Sequence, residues 1–238
     1  LDETKAVLNQ MLENKDVTTE EFVNVANIYL HMNETEEASA ILKKAISNNP
    51  APNFEETRDL AYSVLRLGDA AAALQMMDEI QSSLTSHPCF PILKSDVLTA
   101  NKKFIPALQI LETALKQIEF NNDPHYFETE SLPEDQDVPP YTRAGVYYRA
   151  AQLERTIGDL NAAQKYAGLA QASEPENESV KILQAELAFS VRNSIRLDVL
   201  LDQLQADEPQ SSSAQELTML LILNSLIERN LTKAQLLS

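Results

Sequence analysis

The chain has 238 residues, 36 of them acidic and 19 basic, for a formal charge of −17. That charge repels phosphate backbones and anionic lipid, so nucleic acid is not an expected partner. Apolar residues make up 44% and charged residues 23%, with 4 Gly and no Trp; so few glycines argue against a β-rich or doubly wound fold, whose turns and phosphate loops consume them.

Residues 1–16 carry Ala6, Leu8, Met11 and Leu12 with helical spacing. They read as the second helix of a two-helix unit whose first helix would precede Leu1, so the sequence is expected to be part of a longer protein. From Thr19 to Pro52, the residues Phe22, Val25, Ala26 and Tyr29 share one helical stripe, and Ala38, Leu42 and Ala45 share a second before Pro50. The frame returns with Leu60, Ala61, Val64, Gly68, Ala73, Met77 and Ile80, Ala61 lying 35 residues after Ala26. A weaker copy keeps Leu98, Ala107, Leu111 and Ala114, with Ala107 placed 34 residues after Ala73. Asp69 and Asp159 each follow a glycine and predict N-caps after a tight turn.

Between Ala107 and Ala163 the offset is 56, so the frame carries 22 residues beyond one period of 34. The excess falls at about 119–140, where seven carboxylates lie among Pro124, Pro133, Pro139 and Pro140. It predicts a solvated acidic loop that Tyr126 and Phe127 pin in part, serving either as a docking segment or as a tolerated insertion. The frame resumes with Tyr147, Ala150, Ala151, Gly158, Ala163, Ala167, Ala170 and Pro175. It continues 34 residues on, matching Ala151 to Ala185, Ala163 to Leu197, Ala170 to Leu204 and Pro175 to Pro209. Alanine at 26, 61, 151 and 185 marks close helix crossings, where a larger side chain would force the pair apart.

This pattern resembles the tetratricopeptide repeat, whose consensus runs through an aromatic, a Leu-small pair, Tyr, Ala, Phe, Ala and a closing Pro. The resemblance implies an all-α, right-handed superhelical solenoid of helix-turn-helix repeats, at about 19–52, 54–87, 88–121, 144–177 and 178–211, with a partial unit at 215–238. Other readings of the same periodicity are an α-solenoid with longer helices and a plain helical bundle.

Chemistry-bearing motifs are sparse. His31, His87 and His125 are far apart, and neither a phosphate loop, a Gly-x-Ser-x-Gly elbow nor a dinucleotide fingerprint occurs. No cofactor, metal or catalytic residue is expected. Cys89 cannot form an internal disulfide and reads as a core thiol rather than a reactive one, leaving the compartment open. The apolar run from Met219 to Leu223, Leu226 and Ile227 is too short to span a bilayer. The helix expected at 216–229 is apolar around much of its circumference, which predicts self-association or cover by a further repeat.

In the repeat family the first helix of each unit lines the concave groove. Carried over, that places Asn24, Asn27 and His31, then Arg58, Tyr62 and Arg66, then Asp96, and finally Tyr148, Arg149, Gln152 and Arg155 along it. Arginine and tyrosine anchor interfaces well, and four arginines would reverse the local charge of an acidic chain toward an acidic partner. Solvated arginines paired with a carboxylate one turn away would look the same in sequence. Val23, Glu55 and Asp59 occupy the neighbouring slots, which disfavours a clamp for a chaperone's acidic tail. The reading is a scaffold binding a peptide segment or protein partner in that groove and ordering a larger assembly. The alternatives are a cell-envelope arm of an export or polysaccharide assembly system and, by fold analogy, an α-superhelical sugar-cleaving enzyme.

Overall fold

The computed structural model describes residues 2–13, 17–49, 51–121, 141–191, 193, 197, 199–200, 218–220 and 222–223. The regular structure among them is helical: α1 Asp2–Met11, α2 Thr19–His31, α3 Thr35–Asn48, α4 Phe54–Arg66, α5 Ala70–Leu84, α6 Phe90–Ala100, α7 Phe104–Asn121, α8 Arg143–Ile157, α9 Leu160–Ser173 and α10 Glu178–Ser190. Two compact units divide the chain, Leu1–Ile110 and Leu111–Ser238, with the boundary inside α7.

The helices pair as hairpins, and each hairpin turns on one left-handed residue. Asn33 (φ 59°) joins α2 to α3, Gly68 (φ 79°) α4 to α5, Lys102 (φ 58°) α6 to α7, and Gly158 (φ 101°) α8 to α9. In every case the next residue's N–H donates to the carbonyl five residues back: Glu34 to Tyr29 at 2.9 Å, Asp69 to Val64 at 3.3 Å, Lys103 to Leu98 at 2.9 Å, and Asp159 to Glu154 at 2.9 Å. This bond satisfies a helix-end carbonyl that would otherwise be orphaned. The four left-handed positions are 35, 34 and 56 residues apart, the same steps the alanines take. Asn193, one period of 34 after Asp159, makes the same bond to Ala188 at 2.8 Å.

The opposite helix ends are closed by side chains. Thr18 with Glu21 and Asn53 with Glu56 form reciprocal capping boxes at α2 and α4. The side chains of Asp69 and Asp159 accept from the N–H groups of Ala72 and Ala162 at 3.0 Å, as their position after a glycine predicts. Removing such a cap costs about 1 kcal/mol.

The small residues hold the crossings. Ala26, Ala61, Ala73, Ala151, Ala163 and Ala185 have no exposed surface, and α2, α4 and α8 each lie against the second helix of their hairpin. Around them pack Phe22, Tyr29, Leu42 and Leu60 in the first unit, and Ala151, Ala163, Ala167, Leu183 and Leu187 in the second. Cys89 is buried just before Phe90. At the far end Leu220 packs against Ala185, Ala188, Leu197 and Leu200, while Met219 and Leu223 are exposed. Residues 122–140 of the acidic insertion, and most of the expected units beyond 191, including Ile227, lie outside the described residues. No described helix is long and apolar enough to cross a membrane.

Candidate partner-binding faces

In the first unit, α4 packs against both α2 and α6, so successive first helices stand side by side. Their polar side chains are linked. The Tyr62 hydroxyl donates to Asp96 Oδ2 at 2.7 Å, tying α4 to α6. Asn27 Oδ1 on α2 accepts from Ser63 Oγ and from Arg66 Nη1, each at 3.4 Å. Asn24, His31 and Arg66 are exposed and Asn27 and Asp96 are half-buried. Arg58 differs: it is only 7% exposed, and its Nε donates to Asp59 Oδ1 at 3.0 Å.

In the second unit the corresponding residues lie on α8. Gln152 Nε2 donates to the Tyr148 hydroxyl at 2.8 Å. Arg155 Nη1 pairs with Glu186 on α10. Arg149 is 4% exposed, with its guanidinium 5.2 Å from the centre of the Tyr141 ring and Nη1 donating to the Gly145 carbonyl at 3.2 Å. Tyr148 packs against the cluster of Ala151, Ala163, Ala167, Leu183 and Leu187.

Of the four arginines expected to bring positive charge to an open face, Arg58 and Arg149 are therefore buried structural groups and Arg155 is neutralised by a carboxylate. Arg66 is the exposed one. Two features escaped sequence reasoning for different reasons. Glu186 lies 31 residues from Arg155, off the repeat step, whereas Tyr62 and Asp96 are 34 apart and their pairing was readable as one position in adjacent repeats.

Two titratable groups are perturbed away from these faces. The His87 ring stacks on Phe54 with centroids 3.9 Å apart, and its Nδ1 accepts from the Cys89 N–H at 3.3 Å. Burial holds His87 below the usual histidine range against the opposing pull of Glu55. In the second unit, burial and then the negative charges of Asp159 and Glu112 raise the Glu154 carboxyl. Among the described residues, no group of His, Cys, Asp and Glu side chains is arranged to hold a metal ion.

Comparisons with known proteins give the same architecture. Solved structures with similar folds include a tetratricopeptide repeat protein from Parabacteroides merdae, 15% identical, covering 98% of this chain and 80% of that one at a TM-score of 0.65. PilW, a widely conserved type IV pilus biogenesis factor, is 16% identical over 90% and 89% of the two chains at 0.62. PilF from Pseudomonas aeruginosa is 16% identical over 92% and 88% at 0.61. No curated protein matches the chain. A family model described as a tetratricopeptide repeat matches residues 22–52. A second, described as the tetratricopeptide repeat protein 21 ARM repeat, matches residues 83–231, more than half of the sequence, and the chain thus belongs to the tetratricopeptide repeat protein 21 ARM-repeat family.

Proposed function

We propose that the chain is an interaction scaffold whose first helices bind a peptide segment or protein partner and so order components of a larger assembly. Membership in a family of helical interaction repeats supports the general reading. The observation that carries the finer one is the cross-repeat linkage on adjacent first helices, Tyr62 to Asp96 and Asn27 to Ser63 and Arg66. Those bonds fix polar side chains that rotate freely on an isolated helix, and a face fixed before binding loses less conformational entropy on docking. Neutral amides and one exposed arginine make it a surface for backbone hydrogen bonds with a carboxylate contact, rather than a broad positive field. No catalytic role is proposed for the chain. A role in a cell-envelope assembly rests on the repeat fold of PilW and PilF, a likeness of fold alone.

The test is selection of displayed peptides on the full chain, followed by Asn27→Ala with Arg66→Ala, and separately Gln152→Ala with Arg155→Ala. At least one pair should weaken a selected peptide by about 1–3 kcal/mol with helicity unchanged. Peptides that bind both double variants as tightly as the parent would refute the assignment of these faces.

A further inference from the structure

The second helices α3, α5, α7 and α9 repeat one stripe of residues, and α1 carries the same stripe uncovered. The repeat step places Thr4 in register with Ala38, Ala73, Ala107 and Ala163, none of which has exposed surface, yet Thr4 is exposed. Val7 is in register with Ile41, Met76, Ile110 and Tyr166, and Met11 with Ala45, Ile80, Ala114 and Ala170; all eight are buried or half-buried. Val7 is 57% and Met11 46% exposed. In a complete hairpin this stripe lies against the first helix: Ala163 clusters with Ala151 of α8, and the Tyr166 ring lies 6.3 Å from that of Tyr147.

Hydrogen bonds hold α1 in place. Asn9 Oδ1 accepts from the Tyr29 hydroxyl at 3.2 Å, the Leu12 carbonyl accepts from Lys44 Nζ at 3.2 Å, and Lys5 pairs with Glu34. With Leu8 and Leu12 buried, these bonds seat α1 on the α2/α3 hairpin and leave Thr4, Val7 and Met11 outward. An independent observation on α2 points to the same neighbour. Ile28 is in register with Ser63, Val97, Leu153 and Leu187, all buried, but is itself 40% exposed. Ser63 shows what that position faces, since its hydroxyl donates to Asn27 Oδ1 on the preceding first helix at 3.4 Å. One helix standing beside α1 and α2 would cover both the stripe and Ile28.

We propose that α1 and the adjoining edge of α2 form a docking site for one amphipathic helix of a partner protein, basic along its rim and small at its crossing. The small residue follows from the chain's own crossings, where Ala26, Ala61, Ala151 and Ala185 let first and second helices approach. The basic rim follows from charge. Glu21, seven residues before Ile28 on the same face, is exposed at a place that buried Phe90, Val146 and Val180 hold in later first helices. Glu13 and Glu20 are exposed too, and Lys5 is paired, so a cationic rim is steered to this edge of a chain of charge −17. A helix also closes an apolar stripe without orphaning backbone groups, because its own are bonded internally. The site is separate from the linkage of Asn27, Tyr62 and Asp96, so the inference stands apart from the reading of the first-helix faces.

The test titrates the 238-residue chain with stapled helical peptides and follows the methyl resonances of Val7, Met11 and Ile28. One peptide has the sequence of α8, which is basic and places Ala151 four residues after Tyr147; a second is the same with Ala151→Leu; a third has the acidic sequence of α2. The α8 peptide should shift all three methyl signals, and the other two should bind about tenfold more weakly or worse. Val7→Lys with Met11→Lys, both at exposed positions, should weaken the α8 peptide about tenfold or more with helicity unchanged. Absence of any shift, binding of either other peptide as tight as that of the α8 peptide, or undiminished binding to the folded double variant would overturn the proposal. So would self-association that the double variant abolishes and the α8 peptide does not displace, which would make a second copy the occupant.

Discussion

The hairpins α2/α3 and α8/α9 share a turn geometry but hold their helices together by different means. In the α2/α3 hairpin large rings are buried beside the small Ala26, Ala38 and Ala45, with Phe22 2% and Tyr29 1% exposed, and a capping box closes the first helix. In α8 and α9 Ala150, Ala151, Ala163, Ala167 and Ala170 are all fully buried, the Tyr147 and Tyr166 rings lie 6.3 Å apart beside them, and a glycine takes the left-handed turn. The first hairpin draws on apolar burial, about 1.5–3 kcal/mol for each large side chain. The second draws on dispersion between backbones brought close. One repeat frame therefore tolerates two packing solutions, and they should fail under opposite substitutions.

The largest effect is expected from truncation in the ring-filled hairpin: Phe22→Ala should cost about 3–5 kcal/mol through loss of burial and the cavity left behind. In the alanine hairpin the damaging change is enlargement, and Ala151→Leu should cost about 1–3 kcal/mol by overpacking. Thermal melts and residue-resolved hydrogen exchange would separate the two. If Ala151→Leu leaves the protection of α8 and α9 intact, the close crossing is not what holds that pair.

Next in size are the turns. Gly158→Ala should cost about 1–2 kcal/mol, because an L side chain at φ 101° is strained even though no neighbour crowds it. Lys102 already bears that strain at φ 58°, so Lys102→Gly should raise stability by up to about 1 kcal/mol. Equal melting of both variants and the parent would mean that these turns do not require the left-handed residue.

The smallest effect is one of pH, and it has opposite signs in the two units. Burial holds the folded His87 below the ordinary histidine value of 6.5, so its contribution is present above about pH 6.5 and is lost as the pH falls below it. Protonation then competes with acceptance from the Cys89 N–H. Glu154 has a folded pKa raised above 4.5, so the folded state binds its proton more readily, and acidification through that range relieves the burial and repulsion in the second unit. His87→Phe should flatten the loss between neutral and mildly acidic pH, and Glu154→Gln should raise stability at neutral pH. An unchanged pH profile for His87→Phe would remove the ring's titration from the account.

Much of the hairpin frame was legible because its signals are letters: alanine at the crossings, and glycine followed by aspartate at two turns. Lys102 adopts the same left-handed geometry with nothing in its identity to mark the turn, and Asn33 carries only the weaker left-handed preference of asparagine. The faces were less legible. A helical stripe tells which residues share a side, but whether an arginine there meets solvent depends on what the neighbouring element covers. Arg58 beside Asp59 and Arg149 over Tyr141 are covered, and Arg66 is not.

The central claim is that a partner docks on the first-helix faces, and the most direct measurement is site-specific photo-crosslinking in the presence of a selected peptide. A photoreactive side chain would be placed at exposed first-helix positions, Asn24 and Arg66, and at exposed second-helix positions, Lys43 and Gln75. The account predicts adducts from Asn24 or Arg66 that unlabelled peptide competes away, with Lys43 and Gln75 silent. Adducts confined to Lys43 and Gln75 would contradict it.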